Sequence, residues 1–183
     1  GVKVSFVEIV ELHPPKAAKP IHWLLLTTHQ VATAADAWRI VSWYKQRWII
    51  EQLFRSLKSQ GLRIEDSQLD SAEGLIKLVA IATRAACIVI QLVQARNGGE
   101  ELPAEFAFTP DEIEVLKAIN KTLKGRTDLQ KNHHRHGTIA WAAWIIAKLG
   151  GWSGYASHRP PGPITFHIGM ARFQILVYGA ANV

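Results

Sequence analysis

Cysteine is almost absent from this sequence. Cys87 stands alone among 183 residues, so no internal disulfide can form and a reducing cytoplasm is the default setting. In the run "RAACIVIQL" this thiol reads as a small buried apolar residue. The first residues carry no basic-then-apolar secretory pattern. An uninterrupted apolar span is missing as well. The most apolar stretch, residues 75–93 (LIKLVAIATRAACIVIQLV), is broken by Lys77 and Arg84. A charge at mid-span is costly in lipid, so the stretch reads as a buried helix and no membrane partner is expected. No internal repeat is visible, and the balance of 48% hydrophobic to 20% charged residues excludes a disordered chain.

What is present is more informative. Seven tryptophans serve cores or interfaces, and a formal charge of +6 with a pI near 9.6 favours a polyanion or an acidic surface as partner. The chain opens at Gly1 on what reads as the middle of a strand, so a fragment is expected. Residues 2–12 alternate apolar and polar, a strand period, and prolines 14, 15 and 20 make 13–20 a loop. Residues 21–29 (IHWLLLTTH) form a second strand, nearly continuous in apolar character, hence a hairpin whose second member is largely buried. Helix begins after Thr33, a plausible N-cap, and has no breaker before Gly61.

Residues 62–70 read as a connection with a short extended piece, followed by a long apolar helix over 71–95 and a break at 97–105. Thr109, Pro110 and Glu112 make an unusually complete helix start. Residues 124–137 are a polar, basic loop, 138–151 a further helix, and 164–176 an amphipathic helical stretch. Trp141, Trp144 and Trp152, with Ile145 and Leu149, form an apolar face that could serve half as core and half as dimer surface, a division the sequence does not make. His133, His134 and His136 share one loop without a cysteine, which favours a solvated basic loop over a metal site; Lys131 and Arg135 there could meet phosphate.

The stretch WYKQRWIIEQLFRSLKSQG, residues 43–61, mixes polar and apolar residues unusually. At about 100° per residue, Arg47, Glu51 and Lys58 fall roughly 300°, 340° and 320° from Tyr44, with Arg55 near 20°. Ile49, Ile50, Leu53 and Leu57 occupy the opposing arc and would face a core. By spacing alone the polar stripe fits either a working surface or an ordinary solvated face, with Glu51 pairing Arg47 and Arg55 four residues away.

Tyr44, Arg47, Glu51 and Lys58, with two, three and six residues between them, resemble the Tyr-Arg-Glu-Lys signature of DDE transposases of the insertion-sequence-four type. KPIHWLLLTTH, upstream, is similar to the strand that precedes that signature, and IAKLGGWSG to a segment near the family's C-terminus. The strong similarity covers about residues 19–96.

The resemblance implies an α+β, mostly helical chain: a partial ribonuclease-H-like core (β-hairpin plus signature helix) followed by a helical C-terminal region. Residues 1–62 would end the catalytic core, 63–102 would join it to the rest, and 103–183 would form a C-terminal region capable of dimerisation. In that family two aspartates and a glutamate hold two divalent metals, Mg2+ or Mn2+, for phosphodiester displacement. Glu51 matches the catalytic, metal-binding glutamate. Tyr44, Arg47 and Lys58 match residues that grip phosphates beside the cut, Arg55 borders them, and Trp23 matches a tryptophan that stacks a flipped base. His22 and His29, which flank Trp23, receive no role.

The two aspartates would lie upstream of Gly1, because Asp36, Asp66 and Asp70 read as cap or loop residues. This chain alone is therefore expected to be catalytically silent, with the metal bound only in the full-length protein. The expected partners are double-stranded DNA, as transposon terminal inverted repeats and as target, and a second protomer in a homodimeric synaptic complex, within the bacterial cytoplasm and its nucleoid. Two rival functions stand beside this one: a non-catalytic DNA-binding module, and a helical oligomerisation domain.

Overall fold

Runs rich in β-branched, aromatic and leucine residues form the antiparallel pair β1 (Ser5–Val10) and β2 (His22–Thr27), registered with Val7 opposite Leu25 and Ile9 opposite Trp23. The computed structural model describes residues 1–183 apart from 60, 99–100, 124, 126, 156–158 and 182–183. Five helices follow the hairpin: α1 (Ala34–Lys58), α2 (Ala72–Ala95), α3 (Pro110–Thr122), α4 (Ile139–Leu149) and α5 (Pro163–Ala181). The architecture is α+β and mostly helical, as expected from the sequence. The chain forms two compact units, Gly1–Glu51 and Gln52–Val183, each with its own core.

In the first unit Val7 and Leu25 of the hairpin meet Ile40 and Val41 of α1, with Ile9, Trp23, Val31 and Ala37 around them. Thr33 caps α1 as expected: its hydroxyl accepts from the Asp36 amide at 3.2 Å, while Asp36 Oδ2 accepts from the Thr33 amide at 3.0 Å. This is the reciprocal capping arrangement with aspartate in the distal role, so Asp36 is a cap residue. The expectation that β2 is largely buried is overturned. Leu24 and Leu26 are 66% and 62% exposed, because a two-stranded sheet has one covered face and successive side chains point to opposite faces.

The second unit is built around α4. Nine consecutive residues, from Ile139 to Ala147, are buried, and α2, α3 and α5 pack against the helix from different sides. Thr138 caps it by accepting from the Trp141 amide at 3.2 Å, and Arg172 donates to the Leu149 carbonyl at 2.6 Å at its other end. Close approach of α5 to α4 depends on small residues: a Cβ added at Gly169 would lie 2.0 Å from the Ile146 carbonyl oxygen. Phe108 and Phe173 meet edge to face at 5.7 Å beside it. The capping box of α3 is complete, with Thr109 and Glu112 each accepting from the other's amide.

Several expectations change in this unit. Trp141 and Trp144 are core residues, and Trp152 and Leu149 pack against the same core while staying partly exposed. Helix α2 is buried only along Ala82, Ala86, Val89, Ile90 and Leu92; its earlier turns expose Leu75, Ile76 and Ile81, the last to 71%. By length and composition α2 could cross a membrane, yet its later turns pack on α4 and α5. Cys87 is exposed, since the buried face of α2 is set by Ala82, Ala86, Val89 and Ile90 and Cys87 points away from it.

Of the α1 residues expected to face a core, Leu57 is buried and Leu53 packs beside it against Ala82 and Ala86, whereas Ile50 is 57% exposed. The connection 62–70 contains a 3₁₀ turn, Ile64–Asp66, where an extended piece was expected. The expected break at 97–105 and the basic loop at 124–137 include residues 99, 100, 124 and 126, which lie outside the described residues.

Candidate nucleic-acid interface

Helix α1 runs without interruption from Ala34 to Lys58 and carries five basic residues (Arg39, Lys45, Arg47, Arg55, Lys58) against two acidic ones (Asp36, Glu51). That excess gives the helix a net positive charge.

In the first unit four of the sequence-selected residues form a chain of contacts. The Trp23 ring meets the Tyr44 ring edge on, with centroids 4.9 Å apart at 69°. The Arg47 guanidinium carbon sits 5.8 Å from the Tyr44 centroid, and Arg47 Nη1 donates to Glu51 Oε1 at 2.6 Å. The spacings of three and four residues explain both contacts, since side chains so placed are neighbours on a helix. Tyr44 is exposed, and the side chains of Arg47 and Glu51 are 52% and 42% exposed, so solvent and ligands reach them.

The hydrogen bond to Glu51, and then its charge, push the Arg47 guanidinium above its already high ordinary value, with Tyr44 adding a smaller contribution in the same direction. Arg47 is cationic under all working conditions. Trp23 is half-buried: it packs on the Val7–Leu25 cluster with one side and offers its remaining surface beside Tyr44.

Lys58 and Arg55 belong to the second unit. Lys58 Nζ pairs with Glu65 Oε1 at 2.6 Å, both side chains being more than half exposed. Glu65 sits in the 3₁₀ turn that follows Arg63, a non-glycine residue with φ 46°. Arg55 is exposed. Sequence reasoning missed Glu65 as a partner of Lys58, because a tight turn after the helix brings it back and no short-range pattern announces that.

It also missed a second group in the first unit. His29 meets Trp43 edge on at 4.9 Å, Arg39 lies 5.9 Å over the same ring, and Arg39 pairs with Asp36 at 2.7 Å. The helical spacing of Arg39 and Trp43 was the available signal. Asp36 is held below the usual carboxylate range by the Thr33 hydroxyl first, then by the amides of Ala32 and Thr33 and by Arg39.

The loop candidates have contacts of their own. His133 contacts the Asp128 carbonyl at 2.7 Å, His136 lies against Trp141 at 4.5 Å, Lys131 pairs with Asp128 at 2.6 Å, and Arg135 pairs with Glu101 at 2.5 Å. Asp66 pairs with Arg63 at 2.8 Å in its turn.

Among the described residues no three His, Cys, Asp or Glu side chains are grouped as a cation site. One carboxylate already bound by a guanidinium does not supply the oxygen ligands that a magnesium pair requires, so the residues present do not build that centre. The groups present are a guanidinium paired with a carboxylate, a phenol, an indole and an ammonium. Residues 8–88, from β1 through most of α2, match the family model of the transposase DDE domain, which supports a DDE transposase.

Proposed function

We propose that this chain is the signature-helix and C-terminal part of a bacterial DNA transposase of the insertion-sequence-four type, and that α1 grips a transposon end. Residues 1–62 close the catalytic core, 63–102 connect it onward, and 103–183 form the helical C-terminal region. The observation that carries the reading is the contact chain Trp23–Tyr44–Arg47–Glu51 on an accessible helix surface, together with the match of residues 8–88 to the transposase DDE domain.

In this reading Arg47 gives a forked, charge-assisted contact to a phosphate, Lys58 adds a point charge, and the Tyr44 hydroxyl adds a directional hydrogen bond. Arg55, exposed in the second unit, is a further cation for phosphate. Trp23, braced by Val7 and Leu25, offers a stacking surface for an unpaired base. Both main cations have internal carboxylates, Glu51 and Glu65, which hold them extended until phosphate competes. Exposed pairs of this kind are weak, so exchange to a phosphate diester is easy.

DDE transposases are generally dependent on divalent metal. In the intact protein Glu51 would join two aspartates from elsewhere in the enzyme around Mg2+ or Mn2+, supplying a Lewis acid for cleavage and strand transfer. The chain's partners are double-stranded DNA, both terminal repeat and target, and a second protomer in the synaptic complex, with no membrane involved and the bacterial nucleoid as its place of action. A helical oligomerisation domain is the rival reading, and it has less tryptophan surface to use, since Trp141 and Trp144 are core.

The test is Glu51→Gln in the intact transposase, with cleavage and end-binding measured side by side. Lost cleavage with retained binding supports the reading. Retained cleavage overturns it.

A further inference from the structure

The arrangement around Arg47 occurs a second time on α1, in reverse order. Tyr44, Arg47 and Glu51 stand as aromatic, arginine and carboxylate at i, i+3 and i+7. Asp36, Arg39 and Trp43 stand as carboxylate, arginine and aromatic over the same span. The geometry repeats with the chemistry. Arg39 Nη2 donates to Asp36 Oδ1 at 2.7 Å, and its guanidinium carbon lies 5.9 Å from the Trp43 centroid. The corresponding distances around Arg47 are 2.6 Å and 5.8 Å. Either contact alone is ordinary pairing on a helix surface. The whole set, built twice within one helix, asks for a shared task.

The second set is open to solvent. The Arg39 side chain is 55% exposed and Trp43 is 46% exposed, outside the Val7–Leu25 cluster. His29, also exposed, braces the indole edge on at 4.9 Å. Asp36 does not depend on Arg39, because its Oδ2 accepts from the Thr33 hydroxyl at 2.8 Å and from the amides of Thr33 and Ala32. Those bonds remain when the guanidinium turns to a stronger anion. Between the two sets, a groove of about 340 Å³ is bordered by Trp43 and Tyr44 and walled by residues 24–27 and Ile40. An apolar groove with an indole at its rim, and a guanidinium against that indole, suits a flat ring carried near an anion, which is the make-up of a nucleotide.

We propose that Arg39 and Trp43 form a second nucleotide-binding site on α1. Arg39 meets a backbone phosphate, and an unpaired base lies in the groove against Trp43 and Tyr44. The inference rests on the reading of α1 as a DNA-gripping surface and extends its footprint. Arg39 and Arg47 are eight residues apart, about 12 Å along the helix and about 80° around it. At about 3.4 Å per nucleotide along one strand, they reach different phosphates.

The probes are a blunt duplex of about 20 base pairs and the same duplex with a single-stranded thymidine overhang, titrated into the whole chain by fluorescence anisotropy. Arg39→Gln is expected to weaken both about three- to tenfold and to lower the slope of log K against log salt by about one unit. Arg39→Lys, which keeps the charge, is expected to retain the slope. Trp43→Leu is expected to weaken the overhang duplex about fivefold or more and the blunt duplex by less than about twofold, and Trp43→Phe to restore most of the loss. That pattern supports the site. Binding by Arg39→Gln equal to that of the unaltered chain overturns it, and so does an equal effect of Trp43→Leu on the two duplexes. Where Arg47→Ala weakens binding and Arg39→Gln does not, this site fails alone; where neither does, the reading of α1 fails with it. Should Arg39→Gln not fold, the Trp43 comparison decides.

Discussion

Arg47 and Glu51 are joined by a 2.6 Å hydrogen bond on the accessible surface of α1, one turn beyond Tyr44, whose ring lies 5.8 Å from the same guanidinium. The pair has two consequences. Glu51 keeps Arg47 cationic and extended, and it also competes with any phosphate for the guanidinium. Removing the competing charge while keeping the side-chain shape therefore has a definite sign. Glu51→Gln in this chain is expected to bind duplex DNA at least as tightly as the unaltered chain, measured by fluorescence anisotropy at fixed salt. A loss of several-fold would show that Glu51 orients Arg47 more than it competes with phosphate.

Trp23 serves two purposes, and they separate by substitution. Trp23→Phe keeps an aromatic surface against Val7 and Leu25 and is expected to retain most hairpin stability and part of the DNA affinity. Trp23→Ala loses a stacking platform worth about 1–3 kcal/mol and also opens the small cluster. Binding to an end with an unpaired terminal base, compared with a blunt duplex, isolates the stacking part. Equal losses on both would assign Trp23 to packing alone.

The N-terminus of α1 is expected to loosen in acid. Asp36 has its folded value lowered, so its contribution is complete above the ordinary carboxylate value near 3.8 and is lost as pH falls from there through the lowered value. Amide hydrogen exchange over residues 33–40 should quicken below about pH 4. Asp36→Ala should show the faster exchange already at neutral pH. Unchanged protection in that variant would contradict the capping role.

Gly169 sits where α5 crosses α4, with no room for a methyl group beside the Ile146 carbonyl. Gly169→Ala is expected to destabilise the second unit by about 1–3 kcal/mol or more despite the helix-favouring residue introduced. A chemical-denaturation midpoint equal to or above that of the unaltered chain would mean the helices can part without cost.

Cys87 is accessible in the folded chain. It should react with a colorimetric thiol reagent at a rate close to that in denaturant. Protection by a large factor would restore the buried reading.

How far these features were legible follows from their range along the chain. The hairpin, the Thr33 cap, the Thr109–Glu112 box and the helices α2 to α5 were readable because each is written within a few residues: alternation, a cap, a proline, a glycine stop. The Arg47–Glu51 pair was readable for the same reason. Burial was less legible. Leu24, Leu26, Ile50, Ile76 and Ile81 are apolar but exposed, because composition reports the affinity of a side chain for a core and says nothing about which partner arrives to cover it. Cys87 failed likewise: the buried face of α2 is chosen by Leu53 and Leu57 at Ala82 and Ala86 and by α4 and α5 in its later turns. The Lys58–Glu65 pair depends on a chain reversal that brings its residues together, and no local pattern encodes it.

The salt dependence of duplex binding by the unaltered chain and by Arg47→Ala and Lys58→Ala tests the α1 reading most directly. Each substitution is expected to lower affinity and to reduce the slope of log K against log salt by about one unit, as one phosphate contact is removed. Slopes and affinities identical to those of the unaltered chain would contradict it, and α1 would be an ordinary solvated helix.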